Sequence, residues 1–142
     1  MKDTERTPAD LAFIAGELFN TKITSVFWSS FKGEYGHIQV SVLVYLYDHK
    51  RAKASDIAAE LNVPKQHVSK IINDFKEEGM VVEEKDVQDK RSRILSLTEK
   101  GLNYIRRHLE ISNQSFYSLL ESMDKKDQKD FLNALEIIVR VL

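Results

Sequence analysis

The sequence predicts a mainly α-helical chain that carries one small β-hairpin, and three observations support this. Apolar residues recur at helical spacing along most of the 142 residues. Two short helical patterns separated by a tight turn occupy the stretch from Ala54 to Gly79. Directly after them, MVVEEKD and RSRILSLT read as two strands joined at Val87 to Lys90, with Ile94, Leu95 and Leu97 interleaved among Arg93, Ser96 and Thr98.

Hydrophobic residues make up 42% and charged residues 30%, and only five glycines and two prolines interrupt the chain, so it is expected to fold from end to end. No cysteine is present, which excludes a disulfide, a thiolate metal site and a thiol redox switch. No apolar run approaches the roughly 18 residues that span a bilayer, and the N-terminal MKDTERTPAD lacks the apolar core of a signal peptide. A cytoplasmic location away from membranes is therefore expected. The net charge of −1 says nothing about partners, so any surface for nucleic acid must concentrate cations locally.

The first helix starts at Thr7-Pro8-Ala9-Asp10, where Thr7 can cap, Pro8 suits the first position and Asp10 suits the dipole. Leu11, Ile14, Leu18, Ile23, Val26 and Phe27 continue it towards Gly33. A second helix, about His37 to Tyr47, is apolar on most sides and is expected at the centre of a core. In RAKASDIAAELNVPKQHVSKIINDFKEEG, Ser55 is expected to cap a short helix that buries Ile57, Ala58 and Leu61. Asn62 tolerates the left-handed conformation that stops it. Val63-Pro64 opens the next helix, with Val68, Ile71, Ile72 and Phe75 as its apolar stripe and Gly79 as its C-terminal cap. Together these form a helix-turn-helix, and the hairpin behind it is a wing.

After Thr98 and Glu99 a long helix is expected to run to about Met123, ~37 Å at 1.5 Å per residue. Asp124 and Asp127 start a last helix with Phe131, Leu132, Leu135, Ile138, Val139 and Leu142 on one face. The terminal helices are too apolar for a solitary winged domain to hide, so they are expected to form a homodimer interface.

With Val68, Ile72 and Phe75 inward, helical geometry turns Gln66, Lys70 and Asn73 outward, flanked by Lys65 and Ser69. Gln and Asn can bond bidentately to adenine, Lys to guanine or phosphate, and Ser to either, which is what a helix in the major groove of duplex DNA requires. On the hairpin, Lys85, Lys90, Arg91 and Arg93 lie among Asp86 and Asp89, a cationic turn suited to phosphates and the minor groove. Asp86 is expected to pair with Arg91 and stabilise the wing, leaving Lys90 and Arg93 to touch DNA. A protein-binding winged-helix module that touches no DNA is the alternative, and the basic turn speaks against it.

The motifs ASDIAAELNV, VSKIINDFKEEGMV and DVQDKRSRILSLTEKG resemble the winged helix-turn-helix of the multiple-antibiotic-resistance regulator (MarR) family. The resemblance rests on Asp86-x-x-Asp89-Lys90-Arg91 followed by Leu97-Thr98-x-x-Gly101. It implies a single domain over 1–142, a winged part over 35–100 and dimerisation helices over 7–33 and 101–142. It also implies a homodimeric transcription factor, usually a repressor, that reads a pseudo-palindrome. The sequence departs from the family pattern at Gln88, where many relatives carry Arg in the wing, and at Tyr35-Gly36-His37, which stands in place of the usual Leu-Thr before Gln39.

Members of that family often respond to small aromatic or phenolic ligands, and Phe27, Trp28, Phe31, Tyr35 and His37 fall in the region where such a pocket, or simply core, is expected. The four histidines include no i,i+4 pair, so no dedicated zinc site is expected, nor any cofactor. No nucleophile-base constellation or phosphate loop stands out, so an enzyme is not expected.

Overall fold

The computed structural model describes residues 6–29, 31 and 33–142. The chain divides into two compact units, residues 31–109 and residues 1–30 with 110–142.

The first of these units is built around helix α3 (His37–His49), which buries Val40, Val42, Leu43 and Leu46. Its β-branched residues suit a strand, and burial overrides that preference. The Gln39 side chain closes the first turn by accepting the Gly36 N–H at 2.7 Å. Helix α4 (Ala54–Leu61) buries Ile57 and Ala58. It starts earlier than a Ser55 cap would place it: Lys53 holds the capping position in extended backbone, and Ser55 lies inside the first turn. Asn62 ends α4 at φ 52°, ψ 46°, the left-handed conformation its residue type tolerates.

Helix α5 (Lys65–Glu77) buries Val68, Ile71, Ile72 and Phe75. It stops at Gly79, φ 73°. The Gly79 N–H bonds to the Lys76 carbonyl at 3.1 Å and the Met80 N–H to the Phe75 carbonyl at 2.8 Å, so two orphan carbonyls are satisfied and Met80 is delivered into the core.

Strands β1 (Val81–Lys85) and β2 (Arg93–Leu97) pair antiparallel, with Val81 opposite Leu97 and Lys85 opposite Arg93. Ala52 adds a short third rung by exchanging hydrogen bonds of 3.1 and 2.8 Å with Leu95. Helix α6 (Glu99–Glu121) then begins at a shared joint. Thr98 Oγ1 donates to the Gly79 carbonyl at 2.6 Å and accepts the Gly101 N–H at 3.1 Å. A Cβ at position 101 would lie 2.3 Å from the Met80 carbonyl oxygen, so only glycine lets α6 start there. The Leu97-Thr98-x-x-Gly101 pattern is thus the lock between wing and long helix.

In the second unit, α1 (Pro8–Phe19) opens with a reciprocal box: Asp10 N–H to Thr7 Oγ1 at 3.2 Å, and Thr7 N–H to the Asp10 carboxylate at 2.9 Å. The expected unbroken helix is interrupted by a π-helical turn, Asn20–Thr24, before α2 (Ser25–Ser29). Thr21 and Ser25 hydroxyls bond back to the Glu17 and Thr21 carbonyls at 2.9 and 2.6 Å, competing with the regular ladder. The expected continuation to Gly33 runs into residues 30 and 32, outside the described residues. Helix α7 (Lys125–Val141) is capped by Asp124, whose carboxylate accepts the Asp127 N–H at 2.8 Å. Phe131 sits between Phe19 and Phe116, each ring centroid 6.2 Å away. Many other large apolar residues of this unit stay exposed, Leu11, Phe13, Leu18, Ile138 and Val139 among them.

Candidate nucleic-acid interface

Lys65, Ser69 and Asn73 recur every fourth residue on α5 and line one side of an open groove. Lys53 and Ser55 at the start of α4, with Arg91, Ser92 and Arg93 from the hairpin, line the rest. The recognition-helix residues and the wing cations, distant in sequence, therefore border one surface. Gln66 is exposed on the outward face of α5. Lys70 is exposed as well, but its Nζ lies 3.3 Å from Asp74 Oδ2 and it borders a different groove with His37 and His67. Of the five residues expected to read bases, three share the wing-side groove, Gln66 stands beside them, and Lys70 is drawn to the far side by its acid.

The hairpin tip is held by its own acids. The Asp86 carboxylate accepts the Gln88 N–H at 3.0 Å, and the Asp86 N–H donates to the Ser92 carbonyl at 3.0 Å. The Asp89 carboxylate accepts the Arg91 N–H at 3.0 Å and the Ser92 hydroxyl at 3.1 Å. The expected Asp86–Arg91 pair is corrected: Asp86 Oδ2 faces Lys53 Nζ at 3.4 Å, and the Arg91 side chain makes no ion pair among the described residues. The physical reason is reach across the sheet, since the Ala52–Leu95 rung brings Lys53 against the hairpin, within ion-pair distance of Asp86. The Gln88 N–H, helped by Lys53, holds the Asp86 carboxyl below the usual range.

Arg93 also differs from expectation. Its Nε lies 3.6 Å from Glu83 Oε1, and Glu83 pairs with Lys76 as well. Lys90, Arg91 and Gln88 remain exposed at the tip. Sequence reasoning missed Lys53, Ser55 and Glu83, which reach the groove through tertiary pairing and carry no local signature. It also passed over Val87, 93% exposed at the tip, whose signal was an apolar residue inside a polar turn.

Comparison with known proteins bears directly on this winged segment. Residues 36–92 match the MarR family. An uncharacterized HTH-type transcriptional regulator, YfiV of Bacillus subtilis, is 25% identical over 104 residues, 73% of this chain; the chain spans 65% of that relative's length. This winged segment is thus similar to that of the MarR family of transcriptional regulators. The crystal structure of RV1404 from Mycobacterium tuberculosis resembles this fold at TM-score 0.83 and 15% identity, over 95% of this chain and 94% of that one. A mutant MarR from E. coli does so at TM-score 0.77 and 14% identity, over 95% and 98%. At such identities the likeness is one of fold.

Within the MarR frame, the aromatic residues expected near a ligand pocket divide between the two units. Phe27 and Trp28 lie on α2 with their rings edge to face, 5.1 Å apart. Phe31 belongs to the other unit, where it is buried and stacks on the His108 ring at 4.4 Å. Tyr35 packs edge-on against Phe75 and Tyr104 at 5.2 and 5.5 Å, and its hydroxyl donates to Glu78. Tyr104 donates to Glu34 at 2.8 Å. These contacts tie the segment before α3 to the end of α5 and to α6. His37 opens α3 and lines the groove that holds His67.

Proposed function

We propose that this chain is a homodimeric, sequence-specific DNA-binding regulator that represses transcription by occupying a pseudo-palindromic operator. The observation that carries the reading is the shared groove: Lys65, Ser69 and Asn73 of α5 face Arg91 and Arg93 of the wing across one surface, with Gln66 beside them. Such a surface suits a helix in the major groove reading base edges while a cationic hairpin tracks the backbone alongside. The likeness of residues 36–92 to the MarR family supports the reading. The exposed apolar residues of α1 and α7 support a homodimer, because a second copy would remove them from water.

The test is selection of duplexes from a random pool, followed by anisotropy titration of Gln66→Ala and Asn73→Ala. Each should cost roughly 1–3 kcal/mol on the selected duplex and little on a random one. Equal losses on both would make them phosphate contacts, and no enrichment at all would remove the reading. Ligand response is its finest part, and within the winged unit it rests on Phe31, Tyr35 and His37. A panel of small phenols should raise the melting midpoint and release the duplex; an unchanged midpoint across the panel sinks that part alone.

A further inference from the structure

The segment between α3 and α4 is built unlike a simple connector. Lys50 sits at φ 67°, ψ −44°, and the Arg51 N–H donates to the His49 carbonyl at 2.8 Å, which makes a γ-turn centred on a residue with a side chain. That turn is strained, and strain of this kind persists only where the surroundings hold it. What holds it is the wing, at three successive residues. Arg51 Nη2 lies 3.5 Å from Glu84 Oε2, Ala52 exchanges two backbone bonds with Leu95, and Lys53 Nζ lies 3.4 Å from Asp86 Oδ2. Lys53 also lines the groove between α5 and the wing.

We propose that Lys53 is a positioning residue: paired with Asp86 at the root of the hairpin tip, it fixes the wing over the recognition helix and so sets the spacing between wing and base contacts. The proposal rests on the DNA-binding reading and deepens it. Asp86 already holds the Gln88 N–H, so one carboxylate joins the tip's own turn to a cation from the helix-turn-helix. Rotation of the tip must break both contacts. The bland role for Lys53, a phosphate contact in its own right, makes the opposite prediction for Asp86, whose negative charge would then only repel the backbone.

A double-mutant cycle separates the two. Lys53→Met removes the cation and keeps the stem; Asp86→Asn removes the charge and keeps an acceptor for Gln88. Binding is measured to a duplex selected by the wild-type protein, as a function of salt. A positioning pair predicts that each single variant binds roughly tenfold more weakly, that the double variant is no worse than either, and that the salt slope stays unchanged. Lys53→Arg should restore binding. A gain in affinity for Asp86→Asn, or a fall in slope of about 1.8 for Lys53→Met, two phosphate contacts per dimer, would overturn the proposal. Amide exchange of Gln88 without DNA is an independent readout: faster exchange in Lys53→Met supports the clamp, and an unchanged rate removes it. A wild-type chain that binds no duplex overturns the DNA-binding reading, and the exchange rates then decide the clamp alone.

Discussion

Single residues decide where the helices of the winged unit stop and start. Gly101 is the most demanding, because a Cβ there would meet the Met80 carbonyl oxygen at 2.3 Å, and three hydrogen bonds hold the backbone around both positions in place. Gly101→Ala should therefore cost about 2–4 kcal/mol in chemical denaturation, towards the upper end of the usual cost of overpacking. Asn62 sets a milder constraint: Asn62→Ala in left-handed backbone should cost about 1 kcal/mol, and Asn62→Gly close to nothing. Tyr35 supplies a titration. Its phenol is raised from 10.0 to about 12, by burial first and then by the bond to Glu78. Because the folded value lies above the unfolded one, its contribution is intact below pH 10 and is lost as the pH climbs towards about 12. Tyr104, raised by burial and by Glu34, adds to the same alkaline fall. The melting midpoint should drop across that window, and Tyr35→Phe should shrink the drop while Tyr104 keeps the remainder. Residues of this kind were partly legible in the sequence. Asn62 and Gly79 declared themselves through residue type at a helix end. The Asp86 partner did not, because local spacing favours Arg91 while the sheet brings Lys53, far away in the chain, into reach.

At the scale of elements, α5 and the hairpin divide the labour of one surface. The tip cations Lys90 and Arg91 stand exposed, whereas Arg93 shares Glu83 with Lys76. Lys90→Ala and Arg91→Ala should each lower the slope of log affinity against log salt by roughly 1.8 if each contacts phosphate in both protomers, with no change in melting midpoint. Arg93→Ala should do less to the slope, since its charge is already partly met. Equal slopes for all three variants would show that the ion pairs with Glu83 open on binding. The helix-turn-helix and hairpin were readable because their apolar periods and turn residues are local. The π turn at Asn20–Thr24 was not, because Thr21 and Ser25 fit a helical pattern until their hydroxyls compete for its carbonyls.

For the whole molecule, the unanswered apolar surface is the organising fact. Val139 is 82% exposed, and Phe13 72%, in helices that bury none of their described residues. Ile138→Asp with Leu142→Asp should convert a sedimenting dimer to monomer or aggregate, and a well-folded monomer of the unmutated chain at micromolar concentration would remove the dimeric architecture. The proposed dimer and the proposed DNA binding meet in one prediction: two wings and two α5 helices related by a two-fold axis should touch the same face of a duplex one turn apart. Hydroxyl-radical footprinting on a selected duplex tests this most directly. The expected result is two equivalent protected half-sites with centres about 10 base pairs apart, related by a dyad. One unpaired patch of protection, or none at saturating protein, would contradict it.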